Sequence, residues 1–501
     1  MSTSRPADPI KVYDARWVDG EFSDAEVVRL FDATLRYARE QGADTVVVTR
    51  DARLAGPRVM QLAIDEALRQ GFRVRACADP VSTPHHYFLC LETASAHPGV
   101  AGLAITASHN PGEYIGLKAT LPVARAIGLD CGPDGGLTRV RALYHDGGAG
   151  HGRPGGRLEL VDLRDAYVGA SLAAAEVAEG SLGGLRVAVD ALHGSAGPEF
   201  YRGLTRAGAE VIPLRLLPDG RFPAGSPNPT SRGKLDELAA VCRNHNADLF
   251  IGIDGDGDRL VFGSGRGVLS AGFASIPMLR AWARRRGKTG MPVLYDPKVS
   301  PPALRVWADL GIRPVLFRNG HSQIKDYMDA IGAEAGVEES GHYYHRLTVG
   351  NHTVATENSL LTALLLLREV REDRGEIARL HDLEQNVFTT GEINVQFADD
   401  ATRDRALAAA LARLVSLGAA VRDRTDDGQD LGGTAVAIRV TETPDGLDVA
   451  DDWVSGFLRV ATNEKAVLRT YLSADRAATG QALEREVLGN LTGEFGGRVV
   501  D

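Results

Sequence analysis

The sequence predicts an α/β protein of three related mixed-sheet α/β domains, with a smaller C-terminal α+β domain, around a central cleft. Three observations predict it. A strand–helix–strand pattern occurs three times, each copy later offers an apolar strand that runs into a polar loop, and the pattern changes after about residue 385. Repetition of one supersecondary unit is the signature of related domains.

The first copy begins with the apolar strand Thr45–Thr49, followed by a helix from about Pro57. Val59, Met60, Ala63, Ile64, Ala67 and Leu68 share one face of that helix, Gly71 stops it, and Phe72–Ala76 is the next strand. Such a crossover favours parallel pairing. The second copy is Leu185–Asp190, a helix over 198–206, then Ala209–Leu214. The third is Val293–Asp296, a helix over 301–310, then Ile312–Phe317. Beyond residue 385, strands are predicted over Gly391–Phe397 and Thr434–Val440, with a helix over Arg403–Leu417 between them. The glycine-rich stretch 147–156 reads as a loop or linker. Domain boundaries are therefore expected at 1–156, 157–264, 265–385 and 386–501.

At 501 residues the chain is too long for one ordinary core, and 44% hydrophobic with 24% charged residues is the composition of globular domains. A net charge of −10 argues against a general nucleic-acid binder. Four scattered cysteines without metal-like spacing point to a reducing compartment. The N-terminus lacks the apolar core of a signal peptide, and the longest apolar run, Leu360–Leu367, is too short to span a bilayer. A cytoplasmic protein without a membrane or nucleic-acid partner is expected, as monomer or homodimer.

In open α/β sheets, ligands gather beyond the carboxyl ends of strands. Val100–Ile105 runs into Thr106-Ala-Ser-His-Asn-Pro111, Leu249–Ile253 into Asp254-Gly-Asp-Gly-Asp-Arg259, and Ala333–Val337 into Glu338-Glu-Ser-Gly-His342. Asp254, Asp256 and Asp258 alternate with glycines that permit a tight turn, and converging carboxylates suit a hard cation such as Mg²⁺. An EF-hand is excluded because its glycine and glutamate positions hold Arg259 and Gly265. A solvated Asp/Gly turn remains open for this loop alone. Taken alone, Ser108 beside His109 reads more readily as a capped turn than as an active site, and the absence of a G-x-S-x-G elbow counts against an α/β-hydrolase.

Together the three loops resemble, in order and over nearly the whole chain, those of the α-D-phosphohexomutase family, the phosphomannomutase/phosphoglucomutase group in particular. Tyr13-Asp-Ala-Arg16 is similar to its Y-D-x-R segment, and Gly116 with Lys118 to the end of its N-G-x-K. Asp296-Pro-Lys298 and Gly320-His321-Ser322 resemble substrate-contact segments, and Arg459-Val-Ala-Thr-Asn463 resembles its C-terminal phosphate loop, often R-x-S-N-T. The resemblance implies a mutase that moves a phosphoryl group between positions 1 and 6 of a hexose through a bisphosphorylated intermediate. It implies that Ser108 carries the phosphoryl group and, with Asp254, Asp256 and Asp258, holds one Mg²⁺, with a sugar 1,6-bisphosphate as activator. Arg16 and Arg259 would offset charge; Lys118, His109 and His342 would move protons. Lys298, His321, Glu338, Ser340, Arg459, Thr462 and Asn463 would hold the sugar and its second phosphate.

The chain departs from the family pattern at Trp17, expected near the phosphate in place of glycine, at Ile115 in place of asparagine, and at Ala461 in place of serine. Near Thr356-Glu-Asn358 the family's acidic segment is only partly recognisable. Glu339 stands where glucosamine-type members carry Gln, which favours mannose or glucose as the sugar. A mutase for an unusual sugar phosphate, a binding relative without turnover and a phosphatase are the alternatives.

Overall fold

The computed structural model describes residues 8–287, 290–443, 446–461 and 464–500. They divide into two compact units. One comprises Met1–Val268, Gly320–Gly332 and Ser340–Ile377; the other comprises Leu269–Asn319, Ala333–Glu339 and Ala378–Asp501.

The first unit contains two mixed sheets. In the first sheet the strands run Ala15–Val18, Tyr114–Leu121, Val100–Ile105, Thr45–Arg50, Arg73–Ala76 and Arg157–Leu160. Thr45–Arg50 pairs in parallel with Arg73–Ala76 and with Val100–Ile105, as the crossover rule requires. Val100–Ile105 is buried along its length, so the loop it feeds starts from a fixed base. The edge strand Arg157–Leu160 was not foreseen: Arg, Leu, Glu and Leu all stay exposed, so burial left no apolar run to read. In the second sheet Leu249–Ile253 lies between Leu260–Ser264 and Arg186–Asp190. This unit also holds the antiparallel hairpin Tyr343–Val349/His352–Glu357. The helix Asp24–Glu40 opens on a capping box, in which Ser23 and Glu26 satisfy each other's backbone N–H groups.

In the second unit, Met291–Tyr295 pairs in parallel with both Ile312–Leu316 and Ala335–Val337. Its C-terminal part is an antiparallel sheet in the order Ala420–Arg424, Asp430–Thr443, Gly446–Val460, Val467–Ala474, Phe388–Gln396 and Arg498–Val500. The helices Asp400–Ser416 and Ala477–Gly489 contribute to its core through Ala406, Ala410, Leu414, Leu483 and Val487. Four sheet-and-helix domains are thus present, as the sequence predicted. The strand Asp430–Thr443 extends beyond the 434–440 expected and pairs antiparallel with Gly446–Val460. Among the described residues no helix is long and apolar enough to cross a membrane, and all four cysteines are buried and unpaired.

Candidate active site

Ser108 follows the buried strand Val100–Ile105 and sits at φ 51°, a left-handed conformation that is unusual for a residue with a Cβ. The surrounding bonds account for its retention. Its N–H donates to Thr106 Oγ1 at 2.9 Å, and its carbonyl accepts from Arg53 Nη2 at 2.7 Å. Arg53 is fully buried and also donates to the carbonyls of Asn110, Pro111 and Tyr114, while Asp51 Oδ2 holds its Nε at 3.0 Å. One guanidinium therefore moulds the whole loop. Ser108 Oγ lies 3.2 Å from His109 Nδ1 and 3.1 Å from Asp254 Oδ2, joining the serine loop to the acidic loop.

The acidic loop leaves strand Leu249–Ile253 and folds on itself: Asp254 Oδ1 accepts the N–H groups of Asp258 and Arg259, both at 3.1 Å. Its glycines are needed for space as well as for turning. A Cβ on Gly255 would stand 2.7 Å from the Ser108 carbonyl, and Gly257 takes φ +76°. All three aspartates are buried, and one carboxylate oxygen from each lies within 4.8 Å of the others. Burial and mutual repulsion push Asp254 and Asp258 up. Burial also pushes Asp256 up, but Lys118 and the Thr83 hydroxyl overcome it and hold its carboxyl down. Asp256 Oδ1 and Asp258 Oδ1 are buried without a hydrogen-bond partner. Converging hard oxygens with orphaned lone pairs fit a divalent cation.

Lys118, on strand Tyr114–Leu121, places Nζ 2.7 Å from Asp256 Oδ2 and 2.5 Å from Asp258 Oδ2. Burial alone would lower its pKa; the two carboxylates win and raise it, so the ammonium keeps its proton. Arg16 stands opposite Gly116 in register and donates to Asp14, to Asn110 Oδ1 at 2.8 Å and to the Ala107 carbonyl. Arg259 Nε donates to His342 Nε2 at 3.1 Å, which requires a neutral imidazole, and burial with the Arg259 charge depresses the His342 pKa well below the usual range. Burial and the same arginine also keep His109 neutral. His321, at the start of helix His321–Ile331, has both ring nitrogens buried without a partner.

The first unit therefore brings together Ser108, His109, Asp254, Asp256, Asp258, Lys118, Arg16, Arg259 and His342, and it also carries His321 and Ser340. Lys298, Glu338 and Arg459 belong to the second unit. There Lys298 Nζ and Arg459 Nη2 lie 3.9 and 3.3 Å from Glu392 Oε2. Arg459 stands near the end of strand Gly446–Val460 rather than in a loop, and Thr462 and Asn463 lie outside the described residues.

Two readings of the departures change. Trp17 and Ile115 face each other across the strand pair, 3% and 0% exposed, in the main core of this unit, with Trp17 against the edge of Phe22. Trp17 is thus a packing residue and does not crowd a phosphate. Glu339 accepts the N–H groups of Ala271 and Gly272 at 3.0 and 2.9 Å, capping helix Ala271–Arg286. Its identity reports a helix cap and carries no argument about the sugar.

Sequence reasoning passed over Asp51 and Arg53. Their signal was an Arg-Asp-Ala-Arg run directly after a buried strand. It also passed over Lys325, whose Nζ is 2.8 Å from Glu357 Oε2 and 4.1 Å from the centre of the Tyr87 ring. Glu357 forms a second buried group with Asp258 and His342, ligand atoms within 4.8 Å of one another.

Comparisons with known proteins bear on this arrangement. Family models described as phosphoglucomutase/phosphomannomutase alpha/beta/alpha domains I, II and III match residues 10–130, 165–267 and 276–387. A phosphomannomutase of Salmonella typhimurium is 31% identical over 428 residues, covering 83% of this chain and 88% of its own. A phosphomannomutase/phosphoglucomutase of Pseudomonas aeruginosa is 28% identical over 408 residues, covering 80% and 83%. The crystal structure of a phosphoglucomutase/phosphomannomutase family protein from Burkholderia thailandensis superposes with a TM-score of 0.77 at 25% identity, covering 98% of each chain. With three successive domain models, relatives spanning most of its length and a matching fold, the chain belongs to the phosphoglucomutase/phosphomannomutase family of phosphohexose mutases.

Proposed function

We propose that the protein interconverts the 1-phospho and 6-phospho forms of a hexose, mannose or glucose, through phosphoserine at Ser108 and a bisphosphorylated sugar. The observation that carries the reading is the position of Ser108 Oγ, 3.1 Å from Asp254 in a buried group of three aspartates and beside Lys118, Arg16 and Arg259. Such a site suits phosphoryl transfer, where positioning and charge stabilisation supply most of the rate. The names of the relatives support mannose and glucose.

A sugar hydroxyl attacks the phosphorus held on Ser108; the new P–O bond forms as the P–Oγ bond breaks. Neutral His109, whose Nδ1 lies 3.2 Å from Ser108 Oγ, takes the proton of the attacking hydroxyl and passes it to the departing Oγ, while Lys118 keeps its proton and supplies positive charge. Arg16 and Arg259 offset charge on the transferred group. Ser108, Asp254, Asp256 and Asp258 would hold Mg²⁺, which supplies Lewis-acid stabilisation of the phosphoryl oxygens. The bisphosphate then turns and returns its other phosphate to Ser108. In our reading His321, His342, Glu338 and Ser340 hold sugar hydroxyls, and Lys298, Arg459, Thr462 and Asn463 hold the second phosphate. The working domains are 1–156, 157–264, 265–385 and 386–501, in a cytoplasmic enzyme activated by sugar 1,6-bisphosphate.

A coupled assay of glucose 6-phosphate formed from glucose 1-phosphate, run beside mannose 1-phosphate and with free phosphate measured, tests this reading. Hexose 6-phosphate without free phosphate is expected. Release of free phosphate alone would make the protein a phosphatase, and no product from either sugar would remove the mutase assignment.

A further inference from the structure

The second unit carries a group of charges that the family motifs leave unexplained. Arg459 and Arg469 are register partners on the antiparallel strands Gly446–Val460 and Val467–Ala474, so both side chains leave the same face of the sheet. Like charges directly opposite each other repel. Glu392, on the neighbouring strand Phe388–Gln396, offsets that repulsion: its Oε2 accepts from Arg459 Nη2 at 3.3 Å and its Oε1 from Arg469 Nη1 at 3.1 Å. Lys298 adds a third cation, with Nζ 3.9 Å from Glu392 Oε2. Three positive side chains thus converge on one carboxylate.

The contacts are loose. Charge-assisted bonds of this type run at about 2.7–2.9 Å, and a matched guanidinium–carboxylate pair forms a two-pronged fork. Here each arginine gives Glu392 a single longer bond, and Arg469 Nε is buried with no partner. The Glu392 side chain is 31% exposed, so it has room to move. Asp296 shares Lys298 with Glu392, its Oδ2 also 3.9 Å from Nζ, but its oxygens already accept from the Lys298 N–H at 3.0 Å and from Asn319 Nδ2 at 2.5 Å. Glu464 takes one terminal nitrogen of Arg469 at 2.7 Å and leaves the others. A phosphate monoester offers more acceptor oxygens and one more negative charge than a glutamate, which matches the unused donors. Two residues after Arg459, Ala461 lacks the hydroxyl that the resembling motif carries, and Arg469 supplies donors on the same sheet.

We propose that Arg469 joins Arg459 and Lys298 as the third cation of a seat for a sugar-phosphate dianion, and that Glu392 is the internal anion this phosphate displaces. The proposal rests on the reading of Arg459 as a phosphate ligand. Glu392 keeps the two arginines together while the seat is empty and yields when phosphate arrives, which limits affinity and speeds release of a bisphosphate that must turn around.

The test is calorimetric titration of glucose 1-phosphate, and of mannose 1-phosphate in parallel, into full-length protein carrying Ser108→Ala to prevent turnover. Adding Arg469→Ala is expected to weaken binding about tenfold or more, with Arg469→Lys recovering part of it. Adding Glu392→Gln is expected to tighten binding about fivefold. The same Glu392→Gln protein should melt at a lower temperature without ligand and gain more from ligand than its parent. Unchanged affinity in Arg469→Ala, or weaker binding in Glu392→Gln, overturns the proposal. Arg459→Ala separates this from the underlying reading: if it weakens binding while the other two do nothing, only the proposal falls. If Arg459→Ala also binds unchanged, the phosphate role of this sheet falls with it.

Discussion

Around Ser108, three buried aspartates face Lys118, whose Nζ stands 2.7 and 2.5 Å from two of them. Around Glu392, one half-exposed carboxylate faces three cations at 3.1–3.9 Å. The first region has an excess of acceptors and short, water-excluded contacts. The second has an excess of donors and long contacts open to solvent. Charges act more strongly where water is excluded and are screened where it is not. Fixed groups suit the making and breaking of a P–O bond, which demands geometry held to fractions of an ångström. Exchangeable groups suit a phosphate that must be gripped and released in each cycle.

The comparison can be broken most directly at its buried end. Ser108→Ala should abolish phosphorylation of the protein and lower turnover about a thousandfold or more, and Asp256→Asn should cost nearly as much, because it removes a fixed charge from the transition state. Intact-mass measurement after incubation with glucose 1,6-bisphosphate checks the first, and steady-state kinetics checks both. Wild-type turnover in Ser108→Ala would end the phosphoserine mechanism. Chelation of divalent ions should also stop turnover of the unaltered protein.

Trp17→Ala separates packing from chemistry inside the same unit. With Trp17 at 3% exposure against Ile115 and Phe22, the cost should be about 3–5 kcal/mol in denaturant unfolding, with KM unchanged in the protein that remains folded. A large rise in KM without loss of stability would return Trp17 to the phosphate.

At the exposed end the expected cost is smaller. Arg459→Ala should lower kcat/KM by the equivalent of about 1.5–3 kcal/mol, roughly ten- to a hundredfold, while leaving Ser108 open to phosphorylation by the bisphosphate. Equal loss of both activities would erase the distinction between the two regions.

The smallest effect concerns Glu339. Burial and the neighbouring Asp296 push its carboxyl up to about 8 in the folded protein, whereas an unfolded glutamate ionises near ~4.3. Between those values the folded state holds the extra proton. Its contribution to stability is therefore present at low pH and is lost as pH rises from about 5 to about 8. Melting temperature should decline by a few degrees over that window and Glu339→Gln, which keeps an acceptor for the helix N–H groups, should flatten the decline. A slope that survives the substitution would assign it to another group.

Much of the site could be read before any coordinate was known. Ser108, the aspartates and His342 were legible because each sits in a short loop after a strand, where spacing along the chain is spacing in the site, whereas Lys118, inside strand Tyr114–Leu121, was legible only through the family resemblance. Arg53 was missed although it moulds the serine loop, because its partners Ser108, Asn110, Pro111 and Tyr114 are more than fifty residues away. The edge strand Arg157–Leu160 was missed because it buries no side chain and so carries no alternation. Trp17 was misplaced because a motif position describes order along the chain, while its side chain alternates to the core side of its strand.

What the sequence determined by itself is the set of parts: three strand–helix–strand repeats, a serine loop, an acidic loop and a C-terminal segment around Arg459. Apolar periodicity and turn residues act between near neighbours, and both survive as pattern in one dimension. What only the tertiary structure decided is which charges meet. The pairing of Arg459 with Arg469 follows from strand register, and their shared hold on Glu392 from strand order. The joining of Lys118 to Asp256 and Asp258, and of Lys325 to Glu357, follows from how sheets and helices pack. Those contacts connect residues from ten to well over a hundred positions apart, and Coulomb energy depends on distance in space, which sequence separation does not record.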